Sequence, residues 1–122
     1  MYRGIEHTAI ASPDPEALAS WYERTLNFPV DHRVGANVFL KAPDGTMLEI
    51  IPSEGARLNT APKTPGVRHF AITVGDFDAA LEDLRGKGVD LDDPATVQGI
   101  RVAYFRDPEG NLLHLVRRPE LD

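Results

Sequence analysis

Four side chains able to bind a metal ion stand at matched places in two similar stretches of this chain. His7 lies in IEHTAI from Ile5 and His69 in VRHFAI from Val67, an offset of 62. Glu49 lies in APDGTMLEII from Ala42 and His114 in DPEGNLLHLV from Asp107, an offset of 65. Each half thus gives one donor early and one late. Three imidazoles and a carboxylate form a borderline donor set, suited to Fe, Ni, Co, Mn or Zn as the divalent ion and poor for Ca or Mg. One such ion per set is the expected cofactor. Four protein donors leave two adjacent positions in an octahedral shell, which a substrate with neighbouring oxygens would fill by chelation.

Taken singly, none of these residues is diagnostic. A lone strand histidine is more often hydrogen-bonded than a ligand, and Glu49 alone could pair with an arginine. The doubled placement is what changes the reading. In Val67 to Thr73 the odd positions share a face, opposed by bulkier Phe70, Ile72 and Val74, so His69 is expected to face away from the helices. His114 and Glu49 have apolar neighbours on their own faces, where an ionisable group is costly unless paired or metal-bound. Glu49 and His114 are the candidate catalytic residues, able to carry a proton if either is not a ligand. Beyond the donors, Arg101 and Phe105 are candidate substrate-binding residues. A simple hairpin at DPEG sets residue 103 opposite 114, so Arg101, Ala103 and Phe105 share the face of His114 and Tyr104 turns to the core. Arg101 would then grip a carboxylate bidentately; the alternative is an outward arginine at the sheet edge. His32, between Asp31 and Arg33, reads as a surface histidine, with a role at the pocket mouth as the alternative. No second cofactor-binding motif stands out.

Short elements position these groups. Ile5 to Ile10 reads as a strand, and Asp14 as the N-cap of a helix that starts at Pro15. Ala17, Leu18, Trp21, Tyr22 and Leu26 form its apolar stripe. Val30 to Val34 is a weak strand, and Asn37 to Lys41 and Thr46 to Ile51 form a hairpin about Pro43-Asp44-Gly45. The order then repeats: strand 67–74, a helix capped by Asp76 with Phe77, Leu81 and Leu84 on one side, and a hairpin of 101–106 with 111–117. The expected organisation is one α+β domain, 1–122, made of module 1 (1–52) and module 2 (66–119) around a proline-rich connector (53–65). Neither module alone can bury both its helix and its sheet, so they pack together within one chain or between two.

Composition narrows the classes of partner. The 122 residues include 13 Lys and Arg against 19 Asp and Glu, a formal charge of −6 with no basic run, which disfavours nucleic acid. There is no apolar stretch of membrane-spanning length and no leader pattern, so a cytoplasmic protein with no membrane partner is expected. The absence of cysteine removes disulfides and thiolate chemistry.

Four segments, EHTAI, DPEALASWYERTLNF, VRHFAIT and DPEGNLLHLV, give the chain a resemblance to the vicinal oxygen chelate superfamily of glyoxalases, bleomycin resistance proteins and extradiol dioxygenases. The resemblance runs from His7 to Val116. It implies two βαβββ modules forming a cupped mixed sheet with flanking helices, and metal ligands at His7, Glu49, His69 and His114. It also implies a small-molecule substrate and a homodimer. One departure is plain: glyoxalase- and epimerase-like members carry a carboxylate where this chain has His114. The resemblance therefore implies a metal-dependent lyase, isomerase or ring-cleaving dioxygenase acting on vicinal oxygens. Its alternative is a non-catalytic ligand-binding protein of the bleomycin-resistance kind.

Overall fold

A computed structural model describes residues 1–57 and 61–119; positions 58–60 of the expected connector and 120–122 at the end of the expected domain lie outside it. The chain divides into two compact units, Met1–Ala56 and Arg57–Asp122, with the division inside the expected connector.

The first unit runs β1 (His7–Ser12), α1 (Pro15–Leu26), β2 (Val30–Val34), β3 (Asn37–Lys41) and β4 (Met47–Pro52). Its sheet has the order β1-β4-β3-β2, with β1 parallel to β4 and the other pairs antiparallel. Ser12 Oγ accepts from Asp14 N–H, and the Asp14 carboxylate accepts from Ala17 N–H, which fixes where α1 begins. Asn27, left-handed at φ 59°, ends it. The helix buries Leu18, Ala19, Tyr22 and Thr25. The stripe is thus rotated from the expected one: Ala17 is exposed and Trp21 half-buried, with its ring edge-on to Tyr22. The even-numbered sheet residues Ile10, Val38, Leu40, Leu48 and Ile50 are buried with the helix, which packs on β1, β3 and β4. Replacing one such leucine with alanine typically costs about 2–5 kcal/mol. Odd-numbered residues of these strands take the other face.

The second unit repeats the plan with β5 (His69–Thr73), α2 (Phe77–Gly86), β6 (Ala95–Val97), β7 (Ile100–Arg106) and β8 (Leu112–Arg117), in the order β5-β8-β7-β6. Asp76 caps α2 by accepting from Ala79 N–H, and Phe77, Leu81 and Leu84 are buried as expected. Strand β6 was not anticipated; three residues after a proline are too few to show alternation. Strand β1 extends two residues past its expected end because Ala11 and Ser12 continue the parallel ladder with Ile51 and Pro52. The fold is α+β, with a βαβββ module and a four-stranded mixed sheet in each unit. Among the described residues no helix is long and apolar enough to cross a membrane.

Candidate functional site

The same diagonal brings a donor pair together in each unit. Ala9 stands opposite Glu49 in the β1/β4 ladder, so His7, two residues earlier, shares the Glu49 face. Ala71 stands opposite His114 in the β5/β8 ladder, and His69 is again two residues earlier. His7 and Glu49 meet in the first unit; His69 and His114 meet in the second.

In the first unit His7 Nε2 lies 3.5 Å from Glu49 Oε1. The other ring nitrogen, Nδ1, lies 2.7 Å from Glu6 Oε1, where the ionised carboxylate can only accept. Nδ1 therefore carries a proton, and Nε2 turns toward Glu49. Asn37 Nδ2 donates to Glu49 Oε2 at 3.1 Å, leaving Oε1 toward the histidine. The spacing of these two atoms can be set against what a shared metal ion would require. Donors about 2.1 Å from one ion lie about 3.0 Å apart at a right angle and about 3.4 Å apart at a tetrahedral angle. The pair fits that requirement. The carboxylate behind His7 and the amide behind Glu49 resemble the outer partners that orient ligands in metal sites.

In the second unit the His69 and His114 rings lie 4.9 Å apart between centroids and are tilted by 55°. His114 is 8% exposed, and its Nδ1 is 3.0 Å from the Leu115 carbonyl oxygen. A carbonyl only accepts, so Nδ1 holds the proton and Nε2 keeps its lone pair. Tyr104 packs against both histidines, 4.7 Å from His114 and 6.0 Å from His69 between ring centroids. Among the described residues no three His, Asp or Glu side chains form a group fit to hold a metal ion. Each unit therefore presents two donors, half of the expected set.

The expected hairpin register is corrected. Tyr104, not Ala103, stands opposite His114. Asp107 and Asn111 close the ladder (Asp107 N–H donates to the Asn111 carbonyl at 3.0 Å), which leaves a three-residue loop with Gly110 left-handed at φ 89°. A shift of one residue sends each side chain to the other face. Arg101 therefore lies on the α2 side, where its guanidinium donates to Asp78 at 2.9 Å and covers the Phe77 ring at 4.3 Å. It holds the Asp78 carboxyl below its ordinary value. Phe105 is buried on that same side. Neither shares the face of His114, so the geometry expected of them as substrate-binding residues is absent; Tyr104 takes that place.

Glu6, Asn37 and Tyr104 are the residues that sequence reasoning missed. The signal for Asn37 was available: residues 39 and 49 face each other across the PDG turn, so 37 shares their side. The first-unit face also holds Phe39, edge-on to His7 at 5.5 Å and stacked with His32 at 4.4 Å.

A family model described as the Glyoxalase/Bleomycin resistance protein/Dioxygenase superfamily matches residues 4–115. The uncharacterized protein YwkD of Bacillus subtilis (strain 168) is 31% identical, over 89% of this chain and 92% of its own length. Biphenyl-2,3-diol 1,2-dioxygenase 3 of Rhodococcus globerulus is 27% identical over 91% of this chain, which spans only 61% of that enzyme. Among solved structures, Oxidase ChaP-H2 is 27% identical with a TM-score of 0.77, covering 98% of this chain and 96% of that one.

Proposed function

The chain belongs to the glyoxalase/bleomycin resistance protein/dioxygenase superfamily, and from that premise we propose a metal-dependent dioxygenase acting on a small substrate with two neighbouring oxygens. The observation that carries this reading is the His7–Glu49 pair, 3.5 Å apart, with each partner oriented from behind. His69 and His114 complete the proposed donor set from the second module. The active form is proposed to be a homodimer.

A divalent transition ion bound there would offer adjacent positions to the substrate and, if redox-active, to O2. The chain's own residues do the rest. Glu6 and the Leu115 carbonyl fix the tautomers that leave Nε2 of His7 and His114 bare. Asn37 holds one Glu49 oxygen. Tyr104, beside His114, offers a hydroxyl to a substrate oxygen, and His114 Nε2 either ligates or accepts a proton. An oxygen-using reaction is preferred because no carboxylate of the set stands free to move a proton, so a lyase or isomerase would have to rely on the His114 imidazole as its base. Glu49 is engaged by His7 and Asn37, and its counterpart in the second module is His114. Two relatives of similar identity, one named a dioxygenase and one an oxidase, support the same direction.

The test is a metal-resolved panel on untagged protein, under air and under argon, with catechols, α-keto hemithioacetals and malonyl-type thioesters. Fe(II)-dependent O2 uptake with a catechol is expected. Anaerobic turnover with Ni, Co or Zn would select the lyase or isomerase instead. An inert protein that binds aromatic antibiotics at micromolar concentration would select the binding protein.

A further inference from the structure

His32 is placed with the donors rather than away from them. It stands opposite Phe39 in the β2/β3 ladder, and Phe39 stands opposite Glu49 in the β3/β4 ladder. Directly opposed residues share a face, so His32, Phe39 and Glu49 form a row across three strands. Arg33, the next residue, confirms the alternation: it bonds Glu16 of α1 at 2.9 Å, on the helix side. The β2/β3 register shifts between Val30 and His32, so Asp31 is the extra residue of a bulge. Bulges re-aim side chains. Here Asp31 Oδ2 lies 2.6 Å from His32 Nδ1, while the imidazole stacks on Phe39 within 9° of parallel. Asp31 behind His32 repeats the arrangement of Glu6 behind His7. In both, a carboxylate accepts a hydrogen bond from Nδ1–H and leaves Nε2 to face something else.

We propose that His32 is a specificity-determining residue of the same site, accepting a hydrogen bond from a hydroxyl at the far end of an aryl diol substrate. This inference rests on the dioxygenase reading and names its substrate class. Strands β2 and β4 are two strand spacings apart, about 10 Å. A diol held at His7 and Glu49 reaches His32 only through a second ring lying past Phe39. The row then reads as diol anchor, apolar wall and hydrogen-bond acceptor. The His32 side chain is 44% exposed, and its Nδ1 is the ring nitrogen engaged by Asp31. The charged groups on this side are Asp31 on its own strand, Lys41 two residues past Phe39 on β3, and, beyond Phe39, Glu49 and the Glu6 carboxylate at His7.

Two measurements test it. Long-range proton–nitrogen spectra of neutral His32 should show the Nδ1–H tautomer, and Asp31→Ala should convert it to Nε2–H; an Nε2–H form in the unaltered protein overturns the inference without reference to any substrate. Anaerobic calorimetry on the metal-loaded protein then compares 4-phenylcatechol with 4-(4-hydroxyphenyl)catechol. The hydroxylated probe should bind about three- to tenfold more tightly, as one net hydrogen bond provides. His32→Phe, which retains the stack on Phe39, should erase that ratio, and His32→Gln should keep part of it; metal uptake should not change in either. Equal binding of the two probes, or a ratio that survives His32→Phe, overturns the role of His32 alone. Failure of the unaltered protein to take up metal or to bind either catechol overturns the dioxygenase reading and this inference with it.

Discussion

Glu6 and Asn37 touch no substrate in the proposed reaction, yet they decide how well His7 and Glu49 serve as donors. Glu6 selects the tautomer and orients the ring; Asn37 holds one oxygen of the Glu49 carboxylate. Glu6→Gln and Asn37→Ala should each weaken metal binding about 10- to 100-fold, measured by competition with a chelating dye. His7→Ala should weaken it more. The melting temperature of the metal-free protein should change little with Glu6→Gln, since that side chain is exposed. Unchanged metal affinity in both outer variants would remove the basis for reading the pair as a ligand pair. The four candidate donors stood out in the sequence because two stretches matched. Their supports did not, because Glu6 reaches His7 from just before β1 begins, where strand parity gives no guidance.

Single strands and turns decide which side chains the donors meet. The extent of helix α1, its Asp14 cap, strand β3 and the apolar side of α2 were readable from periodicity and capping chemistry. Strand β2 gave only a weak pattern, and the buried stripe of α1 is rotated from the expected one. The β7/β8 register was not readable, because DPEG is compatible with loops of three or four residues, and their faces differ. Asp107 settles it. It is 4% exposed, and its carboxylate accepts from the backbone N–H groups of Glu109 and Asn111 and from the Asn111 amide. Asp107→Ala removes the partner of two half-buried backbone donors, at about 0.5–1.5 kcal/mol for each hydrogen bond lost. It should lower the urea midpoint and also impair activity, by loosening the register that sets Tyr104 against His114. Loss of stability with full activity would separate the turn from the site. Arg101→Ala should do the reverse, leaving KM within about twofold and lowering the melting temperature slightly, since exposed ion pairs contribute little. Its pH dependence has a definite sign. Arg101 lowers the Asp78 pKa, so the stabilisation is present above the ordinary value of 3.8 and is lost as pH falls below it. The melting difference between the two proteins should therefore narrow in acid. A large rise in KM for an anionic substrate would restore Arg101 as a binding residue.

At the scale of the whole molecule, two compact units each present two donors, and an ion with four protein ligands needs both pairs. If the proposed homodimer exchanges modules, His7 and Glu49 of one chain join His69 and His114 of its partner; otherwise all four come from a single chain. The exchanged arrangement makes a prediction that an intrachain site does not. His7→Ala spoils only the first-module pair, and His69→Ala only the second. When the two inactive variants are unfolded together, refolded and mixed in equal amounts, about half of the dimers are heterodimers. In each heterodimer one site receives both defects and the other receives none. Metal content and turnover should recover to about a quarter of the unaltered protein, half the dimers with one intact site of two. Each variant refolded alone should show no recovery. If the mixture stays as inert as its components, exchange of modules between chains is ruled out. Light scattering on the same samples provides a second check, because a monomer at micromolar concentration is incompatible with the proposed assembly.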